Sequence, residues 1–273
     1  MAPTIAIIGA LDKEVRHIYH ALEKGTVTDE AGLTVMGGTY NGFNIVATTA
    51  GMGTVNVAAA TQHLISVYGA NAVIFSGIAG GLNPALHIGD VVVGERLRYI
   101  DTDTALIAES APRLEEFASS DFLVDLAEET LLAHGFVNAA LGDEAASPAE
   151  DARAAADTTF FRRNNPAAEP QRYLRGTIAT GNRFISGDEL RAAVIEATGA
   201  DCAEMEGAAV AHIAAKNRVD CLVLRAISDN CDEAYDALCE REFDLDEYAK
   251  TASDLTMSII RRLGAKLGVS YRD

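Results

Sequence analysis

The sequence predicts a three-layer α/β/α fold built on a central, mixed, twisted sheet. Short runs of β-branched and apolar residues alternate with helical spacing along most of the 273 residues, which is the order of strands and helices in α/β proteins. Hydrophobic residues make up 49% of the chain, enough for a sizeable core. This length fits one large domain, so we expect a single domain over residues 1–273.

The first half of the chain has the more apolar pattern. Thr4–Gly9 (TIAIIG) is a β-branched run typical of a strand buried on both faces, and helical spacing follows over Leu11–Ala21. From Leu33 to Gly89 there is no Asp, Glu, Lys or Arg, which indicates protein interior. Within it we expect strands at 33–40, 43–49 and 72–77 and a helix at 54–67, with an Asn-Gly hairpin turn after the first strand.

The second half continues the alternation but is interrupted once. A strand from Asp90 towards Tyr99 and an amphipathic helix at 122–134 come first. Residues 138–170 are rich in Ala, Asp, Glu and Pro, which predicts a surface insertion. The elements expected after it are strands at 173–180, 203–204 and 219–226 and helices at 188–197, 206–217 and 246–267.

Charge and cysteine content limit the partners and the location. The formal net charge of −18 repels phosphate backbones and anionic lipid surfaces, so we expect neither nucleic acid nor membrane as a partner. The apolar run near the N-terminus is short and lacks a preceding basic region, which favours a strand over a signal peptide. The four cysteines show no metal-ligand spacing. We therefore expect reduced thiols in a cytoplasmic protein.

Three predicted strand ends carry glycines, in IIGALDKE, TAGMGTVNVA and FSGIAGGLN. Ligands of α/β proteins gather at the carboxyl ends of strands, and glycine lets the backbone approach a ligand closely. Tight turns between core elements would give similar sequences. Neither the GxGxxG fingerprint nor a P-loop lysine is present, so the glycines do not indicate a dinucleotide or P-loop site.

Acidic residues stand at the ends of the most apolar elements. Glu14 falls in the first turn of the helix after strand 1, where an acid also interacts favourably with the helix dipole. Glu204 and Glu206 bracket Met205 where a strand meets an apolar helix, and residues i and i+2 of an extended segment point the same way. Both carboxylates can therefore face one cleft, with helix capping as the alternative interpretation.

Asp229 ends the apolar run DCLVLRAISD, whose composition predicts a strand in the centre of the sheet. Arg225 lies inside that run, and a buried cation needs anionic partners, which the glutamates supply. A capping aspartate and an internal salt bridge are the alternative interpretation of this pair. Since none of the six histidines shows metal-ligand spacing, we expect a carboxylate-rich site that requires no metal and no cofactor.

Together these stretches resemble the 5′-methylthioadenosine/S-adenosylhomocysteine nucleosidase family of the purine nucleoside phosphorylase superfamily. The resemblance covers nearly the whole chain in order, apart from 107–170, and implies a nucleoside phosphorylase-like fold and a homodimer whose sites are completed across the interface. The matching stretches are IAIIGALDKEV (5–15), AGMGTVNVA (50–58), FSGIAGGLNPALHIGDVVV (75–93), TGNRFISGD (180–188), AEMEGAAVAHIA (203–214) and LRAISDN (224–230).

The resemblance implies a role for each acidic residue. Glu14 matches the general base that activates the attacking water, and Glu206 matches the acid that binds the ribose hydroxyls. Asp229 matches the acid that protonates N7 of the purine. Glu204 and Arg225 match the polar support around the water.

The resemblance also implies the walls of a substrate pocket. Phe184 would stack on adenine, the backbone of Ile185 would read the adenine edge, and Met205 would line the ribose. The remaining positions implied to line the pocket are Leu11, Met52, Ile78 and Gly80. Ile78 departs from the small hydroxyl residue frequent in the family, and IDTDTALIAES after Tyr99 replaces the family's aromatic loop, so the 5′ side of the pocket is the least defined by sequence.

The chemistry expected of these residues is hydrolysis of the N-glycosidic bond of adenine nucleosides. The substrates implied are 5′-methylthioadenosine and S-adenosylhomocysteine, with 5′-deoxyadenosine and aminofutalosine as further candidates. Adenine is a poor leaving group as an anion, so an acid must protonate it, and burial among carboxylates is expected to raise the pKa of Asp229 for that task. The arginines of the superfamily's phosphate site are missing. A purine nucleoside phosphorylase and a non-catalytic nucleoside-binding protein are the alternatives.

Overall fold

A computed structural model describes residues 2–141, 170–232, 240 and 242–268. The strands are β1 (Thr4–Gly9), β2 (Glu23–Glu30), β3 (Leu33–Tyr40), β4 (Phe43–Thr49), β5 (Ala72–Gly81), β6 (Val91–Tyr99), β7 (Phe117–Ala118), β8 (Val137–Asn138), β9 (Arg172–Thr180), β10 (Cys202–Glu204) and β11 (Asp220–Asp229). The helices are α1 (Asp12–Ala21), α2 (Thr54–Tyr68), α3 (Thr104–Ile107), α4 (Asp121–Ala133), α5 (Asp188–Thr198), α6 (Gly207–Asn217) and α7 (Glu242–Leu267), and a 3-10 turn covers Ala139–Leu141.

All of these strands belong to one 11-stranded mixed sheet, in the order β10-β9-β6-β11-β5-β1-β4-β3-β2, with β7 beside β6 and β8 beside β9. Strand β11 pairs in parallel with β5 and antiparallel with β6. It therefore lies in the centre of the sheet, as its apolar composition predicts. Because β1, β5 and β11 run in parallel, their carboxyl ends meet at one edge of the sheet.

Helices cover both faces of the sheet and give the predicted three layers. Helices α2 and α6 pack together on one face, and α7 packs against α1 and α4 on the other. Each face has its own hydrophobic core, to which alternate residues of the central strands contribute. Alternation places Phe75 and Val223 on the α2–α6 side and Ile74 and Leu224 on the α7 side. A strand buried on both faces must be apolar at nearly every position.

The elements expected from the sequence are present, with differences at their ends. The hairpin turn after β3 lies at Asn41 and Gly42, both of which have positive φ. Strand β5 continues to Gly81 and β11 to Asp229, beyond the predicted ends. The predicted insertion at 138–170 falls largely outside the described residues.

Strand β2 was not expected from the sequence. All but one of its residues are exposed, and it forms the edge of the sheet beside β3. Its formation depends on backbone pairing, which polar side chains tolerate at an edge. None of the helices in the described part of the chain combines the length and the apolar content needed to cross a membrane.

Packing of α7 on the sheet yields a stability prediction. Leu255 is completely buried, whereas Leu267 on the same helix is 56% exposed. Leu255→Ala should lower the free energy of unfolding by roughly 2–5 kcal/mol because it leaves a cavity, and Leu267→Ala should change it by less than about 0.5 kcal/mol. Urea unfolding of both variants measures this. Equal losses would show that α7 does not pack as described.

Candidate active site

A cavity of about 200 Å³ opens where β1, β5, β10 and β11 end. This is the edge of an open α/β sheet at which ligands are expected. Every predicted site residue except Arg225 lines it. Those lining residues are Leu11, Glu14, Met52, Ile78, Gly80, Phe184, Ile185, Glu204, Met205, Glu206 and Asp229.

Backbone N–H groups just after β1 and within β5 hold the Glu14 carboxylate in place. Its Oε2 accepts hydrogen bonds from the N–H groups of Ala10 (2.7 Å) and Leu11 (2.9 Å), and its Oε1 accepts one from Ile78 (3.0 Å). Burial raises the pKa of Glu14 above its ordinary value, while the charge of Arg225 and these three donors oppose the rise. The result is an immobile carboxylate at the cavity wall that is able to accept a proton.

Arg225 and Glu204 form a buried ion pair behind the cavity. Arg225 is 1% exposed, its Nε donates to Glu204 Oε2 at 3.1 Å, and its guanidinium carbon lies 4.0 Å from the centre of the Phe75 ring. Arg225 does not reach the cavity, so it supports the site from behind. The attraction of three glutamates raises its pKa against burial.

Glu204 also caps the start of α6. Its carboxylate accepts hydrogen bonds from the N–H groups of Glu206 (3.1 Å) and Gly207 (2.7 Å), and the Thr180 hydroxyl donates to it as well. The two interpretations of the sequence therefore both apply, because one carboxylate caps the helix and contributes to the cavity wall.

Glu206 has fewer donors than the other two glutamates. Its Oε1 accepts a hydrogen bond from the N–H of Gly53 (2.7 Å), and its Oε2 lies 3.8 Å from Arg225 Nη2. Burial, followed by the charge of Glu204, raises the pKa of Glu206 to about 8, against the opposing effects of Arg225 and the Gly53 N–H. Glu206 therefore retains its proton to a higher pH than an exposed glutamate does.

Asp229 is buried at the end of β11, where the pairing with β5 shifts register. Its Oδ1 accepts a hydrogen bond from the N–H of Cys231 (2.7 Å), and the Ser228 hydroxyl lies 2.9 Å from its Oδ2. These contacts fix the carboxyl group at the wall of the cavity. Ser228 and Cys231 line the cavity too, and sequence reasoning did not find them.

Two glycines of β5 make room for the acids. A Cβ atom on Gly77 would lie 2.3 Å from Glu14 Oε1, and one on Gly80 would lie 2.8 Å from Asp229 Oδ1. Any larger residue would displace these carboxyls. The FSGIAGG motif is therefore required by side-chain packing at the site, in addition to any approach of a ligand.

The cavity also has lining residues that the sequence did not single out. Apart from Ser228 and Cys231, these are Ala10, Lys13, Ala79, Arg183, Ala203 and Leu245. Apolar residues supply most of the remaining wall, with Phe184 and Ile185 on the segment after β9. Over the described ranges there is no group of three or more His, Cys, Asp or Glu side chains placed to hold a metal ion.

Comparisons with known proteins give one consistent result. The phosphorylase superfamily profile matches residues 4–261. The chain is 31% identical to the 5′-methylthioadenosine/S-adenosylhomocysteine nucleosidase of Treponema pallidum over 96% of this chain and 94% of that one. It is 28% identical to the aminodeoxyfutalosine nucleosidase of Campylobacter jejuni, over 96% of this chain and 99% of the relative.

Solved structures show the same similarity. The adenine complex of the Colwellia psychrerythraea methylthioadenosine/S-adenosylhomocysteine nucleosidase is 25% identical, with a TM-score of 0.77 and 96% of each chain covered. The Helicobacter pylori futalosine hydrolase is 25% identical, with a TM-score of 0.75 and coverage of 95% of this chain and 98% of that one.

The environment of Glu206 predicts a pH-dependent stability. Because its folded-state pKa is raised to about 8, its contribution is fully present below its ordinary pKa and is lost as the pH rises towards 8. The Glu206→Gln variant lacks this pH-dependent loss. Between pH 5 and pH 8 the free energy of unfolding of the wild type should therefore fall, relative to that of the variant, by on the order of 2 kcal/mol. Urea unfolding across this range measures it.

A matched control is Glu189→Gln, at an exposed position in α5. This variant should follow the wild type at every pH. Parallel curves for Glu206→Gln and the wild type would contradict the assignment of a retained proton to Glu206.

Proposed function

Because the chain belongs to the phosphorylase superfamily, and within it to the 5′-methylthioadenosine/S-adenosylhomocysteine nucleosidase family, it is an N-ribosyl hydrolase, and we propose that it releases adenine from 5′-substituted adenosines. The observation that carries the proposal is the convergence of Glu14, Glu206 and Asp229 on one cavity at the carboxyl ends of the strands. Three separately fixed carboxyl groups supply a base, a sugar anchor and an acid.

Glu14 activates water in the proposed reaction. The water oxygen attacks C1′ of the ribose, and its proton passes to Glu14. The three backbone donors hold the carboxylate still while it does so. Burial strengthens Glu14 as a base, because it raises the energy of the charged form.

Asp229 delivers the second proton. As the bond between C1′ and N9 breaks, its electron pair moves into the purine, and Asp229 protonates N7 so that adenine leaves neutral. Gly77, against Glu14, and Gly80, against Asp229, are three residues apart on β5, or about 10 Å for an extended strand. The proposed base and the proposed acid therefore pack against separate points of β5.

The remaining proposed contacts orient the substrate. Glu206 binds the vicinal ribose hydroxyls, with Met205 against the sugar. Phe184 stacks on the adenine ring, and the backbone of Ile185 reads its edge. Glu204 and Arg225 support this arrangement from behind the cavity.

Water suits the site better than phosphate as the nucleophile. The Ile78 N–H donates its hydrogen bond to the Glu14 carboxylate and is therefore not available to bind an anion. Arg225 is already engaged by Glu204. A phosphate dianion beside these acids would be repelled, so hydrolysis is favoured over phosphorolysis.

The proposed substrates follow the names of the relatives, which are nucleosidases for 5′-methylthioadenosine, S-adenosylhomocysteine and aminodeoxyfutalosine. All of these are adenine nucleosides that differ at the 5′ position. We include all three among the candidates, together with 5′-deoxyadenosine.

A homodimer is part of the same proposal. Val55 on α2 is 80% exposed, and Leu106 on α3 is 64% exposed. Val55 lines a groove between α2 and α6 that also contains Tyr99, Ile107 and the half-buried His212, and Leu106 precedes Ile107 in the chain. A second copy of the chain is the occupant we propose for this apolar face, close to Met52 on the mouth of the active site.

The proposal also places the protein in the cytoplasm as a single domain. The thiols of Cys202, Cys221 and Cys231 are free and buried, which fits a reducing compartment. One sheet incorporates every described strand, which supports one domain.

The activity is tested by adenine release from 5′-methylthioadenosine in phosphate-free buffer. Asp229→Asn and Glu14→Gln should each lower kcat by roughly 10²–10⁴-fold, the range for loss of a general acid or base. Glu14→Gln should still bind the nucleoside. Full activity of either variant would remove that residue from its role, and turnover that requires phosphate would favour a phosphorylase.

The dimer is tested by sedimentation of the wild type, Val55→Glu and Val67→Glu. Val67 is exposed near the other end of α2 and serves as the control. We expect dimers for the wild type and Val67→Glu, and a shift to monomer for Val55→Glu because burying an unpaired charge in an interface is costly. An active monomeric wild type would exclude the homodimer.

A further inference from the structure

Two cations at the mouth of the cavity have no partner within the described part of the chain. Lys13 and Arg183 both line the cavity, Lys13 half-buried and Arg183 exposed. Neither has a hydrogen bond or an ion pair there. By contrast, Arg16, one turn after Lys13 on α1, pairs with Asp246 of α7.

The charges around the cavity are divided between its closed end and its mouth, in a chain whose formal net charge is −18. The acids that line the cavity are all buried and are engaged by other donors. Positive charge is therefore free at the mouth, while negative charge is concentrated at the closed end.

The two cations border the same opening from different elements. Lys13 lies on α1 between Leu11 and Glu14. Arg183 follows Asn182, whose Oδ1 accepts a hydrogen bond from the N–H of Thr54 (2.9 Å). That bond ties the Arg183 segment to the start of α2, next to Met52, which is 44% exposed.

This arrangement limits which part of a nucleoside can reach Lys13 and Arg183. In the proposed function the base is held by Asp229 and the diol by Glu206, both buried. The 5′ carbon is the remaining substituent of the ribose. A 5′ arm that leaves the site by the mouth would pass apolar Leu11 and Met52 as well as the two cations, all of which line the cavity.

We propose that Lys13 and Arg183 bind an anionic group on the 5′ substituent, so that the enzyme selects adenine nucleosides whose 5′ arm carries a carboxylate. This inference rests on the proposed function. The guanidinium of Arg183 can pair with both carboxylate oxygens, and the ammonium of Lys13 adds a second charge. The two residues determine specificity and take no part in bond breaking.

The test compares two substrates that differ only in charge, 5′-carboxymethylthio-5′-deoxyadenosine and its carboxamide. The wild type should show a kcat/KM about tenfold higher for the carboxylate at low ionic strength, a factor expected of two partly exposed ion pairs. In the double variant Lys13→Gln/Arg183→Gln the ratio of the two kcat/KM values should fall to about one. Because the ratio is taken within each variant, a general loss of activity cancels.

Three controls separate charge from structure. Lys13→Arg/Arg183→Lys should keep the preference, since both charges remain. Lys24→Gln, at an exposed lysine on β2 outside the cavity, should keep it too. Raising the salt to about 0.5 M should reduce the preference of the wild type, because the screening length falls well below 10 Å.

The outcomes distinguish this inference from the proposed function. Turnover of both nucleosides with equal kcat/KM by the wild type, or a preference that survives in the double variant, would overturn the inference and leave the function standing. Absence of adenine release from any nucleoside would overturn the function. In that case the ratio of dissociation constants for the same pair, in the wild type and the double variant, decides the role of the two cations.

Discussion

The buried guanidinium of Arg225 is the interaction on which the rest of the site depends. It lies on the central strand with its face on the Phe75 ring, and the charges of Glu14, Glu204 and Glu206 all act on it. Three carboxyl groups around one buried cation cannot all be ionised without leaving negative charge uncompensated. An excess of negative charge over one cation favours protonation, and the pKa values of Glu14 and Glu206 are both raised, with burial as the first cause.

The three carboxyl groups differ in the number of hydrogen-bond donors that stabilise their ionised forms. Glu204 accepts hydrogen bonds from the Thr180 hydroxyl, backbone N–H groups and Arg225. Glu14 accepts hydrogen bonds from three backbone N–H groups. Glu206 has one backbone N–H and a more distant guanidinium. Donors stabilise the ionised form, so Glu206 has less of this stabilisation than Glu14, while burial raises the pKa of both. In the proposed function Glu14 acts as the base and Glu206 binds the ribose hydroxyls.

The sequence was sufficient for the fold where burial dictates residue type. Strands β1, β5 and β11 are covered on both faces, so nearly every position is apolar and the pattern is unambiguous. Edge strand β2 has the opposite composition, EKGTVTDE, and pairs with β3 mainly through its backbone. Side-chain patterns do not report that kind of pairing, and the strand was missed. The strand boundary predicted at 226 left out the last three residues of β11, where the pairing with β5 shifts register.

The candidate site was predictable at its closed end for the same reason. An acid or a cation inside an apolar element needs a compensating partner, and this requirement identified Glu204, Glu206, Arg225 and Asp229 from the sequence. The mouth has no such requirement. Lys13 resembles any solvated lysine in a first helical turn, and only the folded chain brings it to the same opening as Arg183.

This difference follows from what each part of the site must do. At the closed end the carboxyl groups are coupled through one guanidinium, so a change in any of them alters the ionisation of the others. The cations at the mouth are separate from that network and can change without disturbing it. On the role proposed for Lys13 and Arg183, substitutions there would alter which 5′ group is accepted and would leave the residues proposed for hydrolysis unchanged. Relatives that share the fold and act on nucleosides with different 5′ groups are what this separation would allow.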